Sequence, residues 1–165
     1  MLKNVVIRDS IEKDIKSIKA IYNQGIEDRI ATLETELKDD SNMKDWFDKH
    51  TGRYKAIVAE NEEQIVGWAS LNQYNSREAY SGVADLSIYI AREYRGKGIG
   101  KLLLDEIESR AKDNCFHKIV LFTFPFNHLG QGLYRKMGFR EVGIFKNQGI
   151  LDGEFVDVMA MEKIF

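Results

Sequence analysis

The chain has 165 residues, with 24 Lys and Arg against 26 Asp and Glu, a formal net charge of −2. That length suits one domain, residues 1–165, and a composition of 44% hydrophobic and 30% charged residues supplies a core and a solvated surface, not a disordered chain. The near-balanced charge argues against a nucleic-acid binder, whose electrostatic footprint is usually basic.

No apolar run approaches the ~20 residues that a membrane helix needs. The run from Ile119 to Phe126 is broken by Thr123 and Pro125, and the apolar stretch after Met1 is too short for a signal peptide. Cys115 is the only cysteine, which excludes an internal disulfide and a cysteine-based zinc site. A lone cysteine without a secretion signal suits a reducing cytoplasm, and a cytoplasmic location is expected. His50, His117 and His128 show no ligand spacing, so no metal is expected.

Val5 to Arg8 reads as a first strand. Asp9 then offers a helix N-cap with Glu12 three residues on, and Ile11, Ile15, Ile18 and Tyr22 form one face of a helix ending near Gly25. Residues 27–41 are mostly polar and read as a loop. Met43, Trp46, Phe47 and His50 suggest a short second helix closed by Gly52. Tyr54–Ala59 and Gln64–Tyr74 read as a hairpin across the polar turn Glu60–Glu63, and Val83–Ile90 as a further strand. A glycine cluster then opens a long helix with Ile99, Leu103, Ile107 and Ala111 on one face. Lys118–Thr123 reads as a buried strand. A shorter helix carries Leu129, Leu133 and Met137 at four-residue intervals and ends at Gly138. Strands near Phe139–Lys146 and Glu154–Lys163 complete the order β-α-α-β-β-β-α-β-α-β-β. That order predicts an α+β fold with a mixed sheet, not a regular βαβ repeat.

The segment Arg95-Gly96-Lys97-Gly98-Ile99-Gly100 between strand and helix carries the most chemical information. Glycines let the backbone curl, and the unpaired N–H groups of a helix's first turn carry partial positive charge. Together they form an anion cradle suited to a phosphate or pyrophosphate, with Arg95, Lys97 and Lys101 adding charge. A P-loop fails because Arg95 stands where its first glycine belongs and Leu102 follows Lys101. A dinucleotide fingerprint fails because Lys101 replaces its third glycine. A ligand-free glycine turn is the bland alternative.

The R-x-x-G-x-G pattern, followed by Asn127 and then Leu133-Tyr134-Arg135-Lys136-Met137-Gly138-Phe139, resembles the acetyl-CoA half of the GCN5-related N-acetyltransferases (GNAT). Ile21-Tyr22-Asn23, Ala31-Thr32 with Glu34, Ile65-Val66-Gly67, Ala79-Tyr80 and the tail Gly153–Val158 resemble the phosphinothricin and methionine sulfoximine acetyltransferase branch. The resemblance implies a twisted mixed sheet whose central strands splay apart, flanked by about four helices. It implies transfer of an acetyl group from acetyl-CoA, by direct attack, to the amino group of a small amino-acid-like substrate, and a homodimer.

On this resemblance Asp85 is the candidate base, standing where the branch usually has glutamate. The shorter side chain favours a bridging water; the bland alternative is a solvent-facing acid or one paired with Arg77. Tyr134 is the candidate acid for the leaving thiolate, or else a packing aromatic. Ile88, Tyr89 and Ile90 would offer backbone groups to pantetheine. Arg95, Gly96, Lys97, Gly98, Ile99 and Gly100 would cradle the pyrophosphate. Asn127 would contact the cofactor, cap a helix, or do both. Gly130 stands where serine is common, and Val156 where some members have histidine. Arg77 and Tyr80 would meet the acidic end of the substrate, while Thr32 and Glu34 would lie in a covering loop. Acetylation of a protein N-terminus, a lysine or a polyamine is the second reading. A non-catalytic acyl-CoA-binding module is the third.

Overall fold

The computed structural model describes residues 2–165. Strand β1 (Val5–Asp9) lies at one edge of a seven-stranded sheet that continues with β2 (Ala56–Asn61), β3 (Gln64–Gln73), β4 (Val83–Ile90), β5 (Lys118–Thr123), β7 (Glu154–Ile164) and, at the far edge, β6 (Arg140–Leu151). Neighbouring strands are antiparallel except for β4 and β5, which are parallel. Four helices complete the expected order: α1 (Ile15–Asp28), α2 (Asp40–Asp48), α3 (Ile99–Asp113) and α4 (His128–Lys136).

The parallel pair is the feature that opens the molecule. Strand β4 pairs with β5 only at Val83, Ala84 and Asp85, opposite Lys118, Ile119 and Val120. Beyond Asp85 the two strands part, while β4 stays paired with β3 as far as Ile90. Residues 86–90 thus lack β5 as a partner, and Asp85 sits at the apex of the fork. These are the splayed central strands that the resemblance implies.

Alternation along β4 divides the core in two. Leu86, Ile88 and Ile90 pack with Leu103, Leu104 and Ile107 of α3. Tyr89 points to the other face and packs with Trp68 of β3, Ile18 and Ile21 of α1 and Met43 of α2. Asp85 and Ser87 share that second face.

Several boundaries differ from the sequence reading, each for a local reason. Asp9 is not a helix cap but the last residue of β1; Asp14 instead accepts the Ile11 N–H at 2.9 Å at the start of a 3-10 turn. Gly25 does not end α1, which continues to Asp28 and closes on Arg29 in the left-handed region (φ 56°). Gly25 is there for space: a Cβ would lie 2.6 Å from the Tyr89 ring. Residues 27–41 are helical at both ends, because Asp39 caps α2 by accepting the Asn42 N–H at 2.7 Å. Helix α2 closes at Lys49, ahead of Gly52. On α4, Leu129 is 91% exposed, and the buried residue is Gln131, whose amide donates to the Phe124 and Pro125 carbonyls at 3.0 and 2.8 Å. Strand β6 is longer than expected and reaches Leu151, with irregular pairing after Glu141 and Phe145.

Candidate active site

The fork between β4 and β5 opens into a cleft of about 280 Å³. Its walls come from Asp85–Tyr89 on β4, Leu121–Phe124 on and after β5, Ala31–Glu34 after α1, and Tyr22, Asn127, Tyr134 and Val158. The lining contains two carboxylates, Asp85 and Glu34, and no lysine or arginine.

Those carboxylates are differently engaged. Glu34 accepts the Tyr22 hydroxyl at 2.5 Å and is paired with Lys38 at 2.5 Å. Its backbone N–H donates to the Thr32 hydroxyl at 3.1 Å, which folds the 31–34 segment onto the cleft. Asp85 has only one long contact, the Asn72 side-chain amide at 3.4 Å. Burial pushes its carboxyl up to about 6, against a small opposing effect of that amide. A group poised there is ionised at neutral pH and still able to take a proton.

Tyr134 projects from α4 into the same cleft, with its ring edge-on to Phe139 at 6.1 Å. Burial pushes its phenol up to about 12, so it is a proton donor at neutral pH. The phenols of Tyr22 and Tyr89 are also raised, both by burial first. Asn127 caps α4, accepting the Gly130 N–H at 3.1 Å, and its amide donates to Thr123 at 3.2 Å while lining the cleft. Thr32 lines the cleft as well.

At the far end of β4 lies the glycine turn. Gly96 and Gly98 adopt φ of 76° and 86°, a region that side chains disfavour, and Gly98 leads directly into α3. No side chain caps the 15-residue helix at Gly98, so its first-turn N–H groups have no side-chain acceptor there. Gly100 answers a different demand, since a Cβ there would meet Leu133 of α4 at 2.7 Å. Of the basic residues, Arg95 is bound to Asp28 at 2.6 Å and to the Ile90 carbonyl at 3.3 Å. Lys101 pairs with Asp105 at 3.0 Å, and the Lys97 ammonium lies 5.2 Å from the centroid of the Tyr94 ring. Ile88, Tyr89 and Ile90 form the unpartnered edge that links cradle to cleft.

Arg77 and Tyr80 are not brought into the cleft. Both lie in the exposed turn that precedes β4, where Tyr80 packs against Tyr74 with centroids 5.8 Å apart. The Arg77 N–H donates to Asn75 at 2.9 Å, and no Arg77–Asp85 ion pair is present. The sequence reading missed Asn72, which stands opposite Asp85 in the β3–β4 register and donates to Ser87 at 2.9 Å. A polar residue in phase with Trp68 and Ser70 along an otherwise apolar strand was the available signal.

A glycine turn at a helix N-terminus, a strand edge without a β5 partner and an acidic cleft at a parallel fork thus lie along one strand, β4. Residues 18–139 match the acetyltransferase (GNAT) family, and the chain belongs to that family. It is 30% identical to an L-methionine sulfoximine/L-methionine sulfone acetyltransferase of Pseudomonas aeruginosa, over 94% of this chain and 92% of that one. A phosphinothricin acetyltransferase structure from Sinorhizobium meliloti, in complex with acetyl-CoA, superposes with a TM-score of 0.92 at 30% identity, covering 98% of this chain and 88% of the other. A ribosomal-protein-alanine N-acetyltransferase structure from Brucella melitensis superposes with a TM-score of 0.94 at 32% identity, covering 97% and 99%.

Proposed function

We propose that the protein transfers an acetyl group from acetyl-CoA to the amino group of a small amino-acid-like compound of the phosphinothricin or methionine sulfoximine type. The observation that carries this reading is a cleft at whose apex the Asp85 carboxylate has no cation as partner and only the long Asn72 amide contact, while the second carboxylate, Glu34, is paired with Lys38. Such a carboxylate attracts an ammonium group and can then remove its proton. The named activities of the relatives supply the substrate class.

In this reading the pyrophosphate rests on the Gly96–Gly100 turn and the α3 N-terminus, and pantetheine pairs with the free edge of β4. Asp85 takes the proton of the ammonium form, directly or through one water. The neutral amine attacks the thioester carbonyl, and a backbone N–H of β4 receives the developing oxyanion. As the C–S bond breaks, Tyr134 protonates the departing thiolate, and the remaining extra proton on nitrogen leaves to solvent, which restores the Tyr134 phenol. Arg77 and Tyr80 engage the acidic end of the substrate only where that end extends out of the cleft.

A thiol-release assay with acetyl-CoA and a panel of amines tests the reading. Turnover of phosphinothricin, methionine sulfoximine or the sulfone is expected; turnover of polyamines or lysine peptides alone discards the substrate class. A peptide N-terminus is the competing substrate, favoured by the similarity to the ribosomal-protein-alanine enzyme, and belongs on the same panel. We also propose a homodimer, because edge strand β6 exposes Val142, Ile144, Phe145 and Ile150. A monomeric mass by light scattering at micromolar concentration would refute it.

A further inference from the structure

Behind Asp85 runs a chain of side chains that ends on a buried histidine. His50, just past α2, stacks on Trp46 with centroids 4.5 Å apart and is 9% exposed. Its Nδ1 lies 2.6 Å from the Trp46 carbonyl, and its Nε2 lies 2.9 Å from Oδ1 of Asn72. Asn72 Oδ1 also accepts the Ser70 hydroxyl at 3.0 Å. The amide nitrogen of Asn72 then faces Ser87 at 2.9 Å and Asp85 at 3.4 Å. Asp85 on β4 is the carboxylate that faces His50 through this amide; from α2 the ring meets Trp46 and from β3 it meets Asn72, whose oxygen also takes the Ser70 hydroxyl.

Donor and acceptor counting singles out two arrangements of this chain in which every close contact is a hydrogen bond. A carbonyl only accepts, so Nδ1 must carry a proton. With the Asn72 oxygen toward His50, Nε2 must carry one as well, and the ring is an imidazolium. The amide nitrogen then donates to an ionised Asp85. If the Asn72 amide is turned round, its nitrogen donates to a neutral His50 and its oxygen faces Asp85. At 3.4 Å that oxygen disfavours the ionised Asp85 and is best met by the protonated acid. Both arrangements hold the same number of protons. One proton sits at one end or the other, and the orientation of Asn72 records which.

We propose that His50 is a positioning residue for Asp85: the imidazolium of His50, acting through Asn72, selects the ionised and therefore basic form of Asp85. The inference rests on the reading of Asp85 as the base. It gives His50 and Asn72 a function that α2 and β3 packing alone does not require. An aliphatic pair would fill the same space between Trp46 and the sheet without two buried polar groups to satisfy.

Nitrogen-15 NMR of the histidine rings in the ligand-free protein at pH 7 tests the pairing. The His50 signal, assigned by its loss in His50→Gln, is expected to show both ring nitrogens protonated. In Asp85→Asn the negative partner is gone, and one nitrogen is expected to become unprotonated. Asn72→Leu, which cuts the link at its middle, should have the same effect and serves if Asp85→Asn fails to fold. A neutral His50 in the unmodified protein, or an imidazolium unchanged in both variants, overturns the proposal. Kinetically, His50→Gln keeps a donor for Asn72 but no charge. The acid limb of its kcat/KM profile should move up by about one pH unit, with activity near pH 6 lowered about fivefold and well below that pH about tenfold. A profile that keeps its midpoint overturns the proposal. The NMR readout needs no turnover. Paired titration with no acetyl transfer refutes the functional reading, whereas transfer with a neutral His50 refutes the pairing alone.

Discussion

The cradle and the cleft lie at opposite ends of the free edge of β4 and are made in opposite ways. The cradle is local: Gly96, Gly98 and the first turn of α3 are contiguous in the chain, and in the proposed function their backbone would carry the chemistry. The cleft is assembled from remote segments, with Thr32 and Glu34 after α1, Asp85 on β4 and Tyr134 on α4, and it works through side chains. A backbone site tolerates exchange of its flanking side chains. A side-chain site fails when one group is replaced or when its supporting layer shifts.

Substitutions should separate the two ends. The largest effect is expected from Asp85→Asn, with kcat/KM down by about 10²–10³ and acetyl-CoA binding unchanged by calorimetry. In the unmodified protein the base must be ionised, so kcat/KM should fall as pH drops below about 6. Stability should change in the opposite sense. A carboxyl raised from 3.8 to about 6 by burial costs the native state stability as pH climbs through that interval. At pH 7 Asp85→Asn should therefore stabilise the fold, by on the order of 3 kcal/mol, and near pH 3 it should not. A melting temperature that is lower at pH 7 would contradict the assignment of burial as the cause.

Tyr134→Phe comes next, with kcat lowered about 10²-fold and acetyl-CoA affinity held. An unchanged kcat, with chemistry shown to be rate-limiting, would remove the phenol from the reaction. Gly98→Ala should act at the other end. Forcing a Cβ at φ 86° costs about 1–2 kcal/mol, and the variant should weaken acetyl-CoA binding while sparing the pH profile. Gly25→Ala blurs the division, because its Cβ would push on the Tyr89 ring from behind. A loss of about 1–3 kcal/mol in stability is expected on chemical denaturation. Leu129→Ser, at a 91% exposed position, should change stability by less than about 0.5 kcal/mol.

The same contrast governs what could be read from the sequence. The strand order, the four helices and the glycine turn follow from periodicity and from residues adjacent in the chain. Asp85 and Tyr134 were legible through the resemblance, and the fold carries both to one cleft. Asn72 left only its polar phase along β3 as a signal, since its place opposite Asp85 depends on the β3–β4 register, and the contact of His50 with Asn72 was not legible because it depends on where α2 docks. Leu129 misled for a related reason. Its spacing matches the apolar stripe of α4, but the Phe124 and Pro125 carbonyls needed a donor, and Gln131 turned inward to supply it. Gly25 looked like a stop signal when its real constraint was a ring from a strand more than sixty residues away.

The aromatic layer under Tyr89 also gives the protein an optical property. The chain has two tryptophans, Trp46 and Trp68, and both lie in this layer, with ring centroids 5.2 Å apart. Trp68 also stacks on Tyr89 at 4.9 Å, and its indole N–H is buried without a hydrogen-bond partner. Emission excited at 295 nm therefore comes from one spot, directly behind the strand edge that would receive pantetheine. Titration of the unlabelled protein with coenzyme A becomes a fluorescence experiment, read through the Tyr89 ring that packs on Trp68 and lines the cleft.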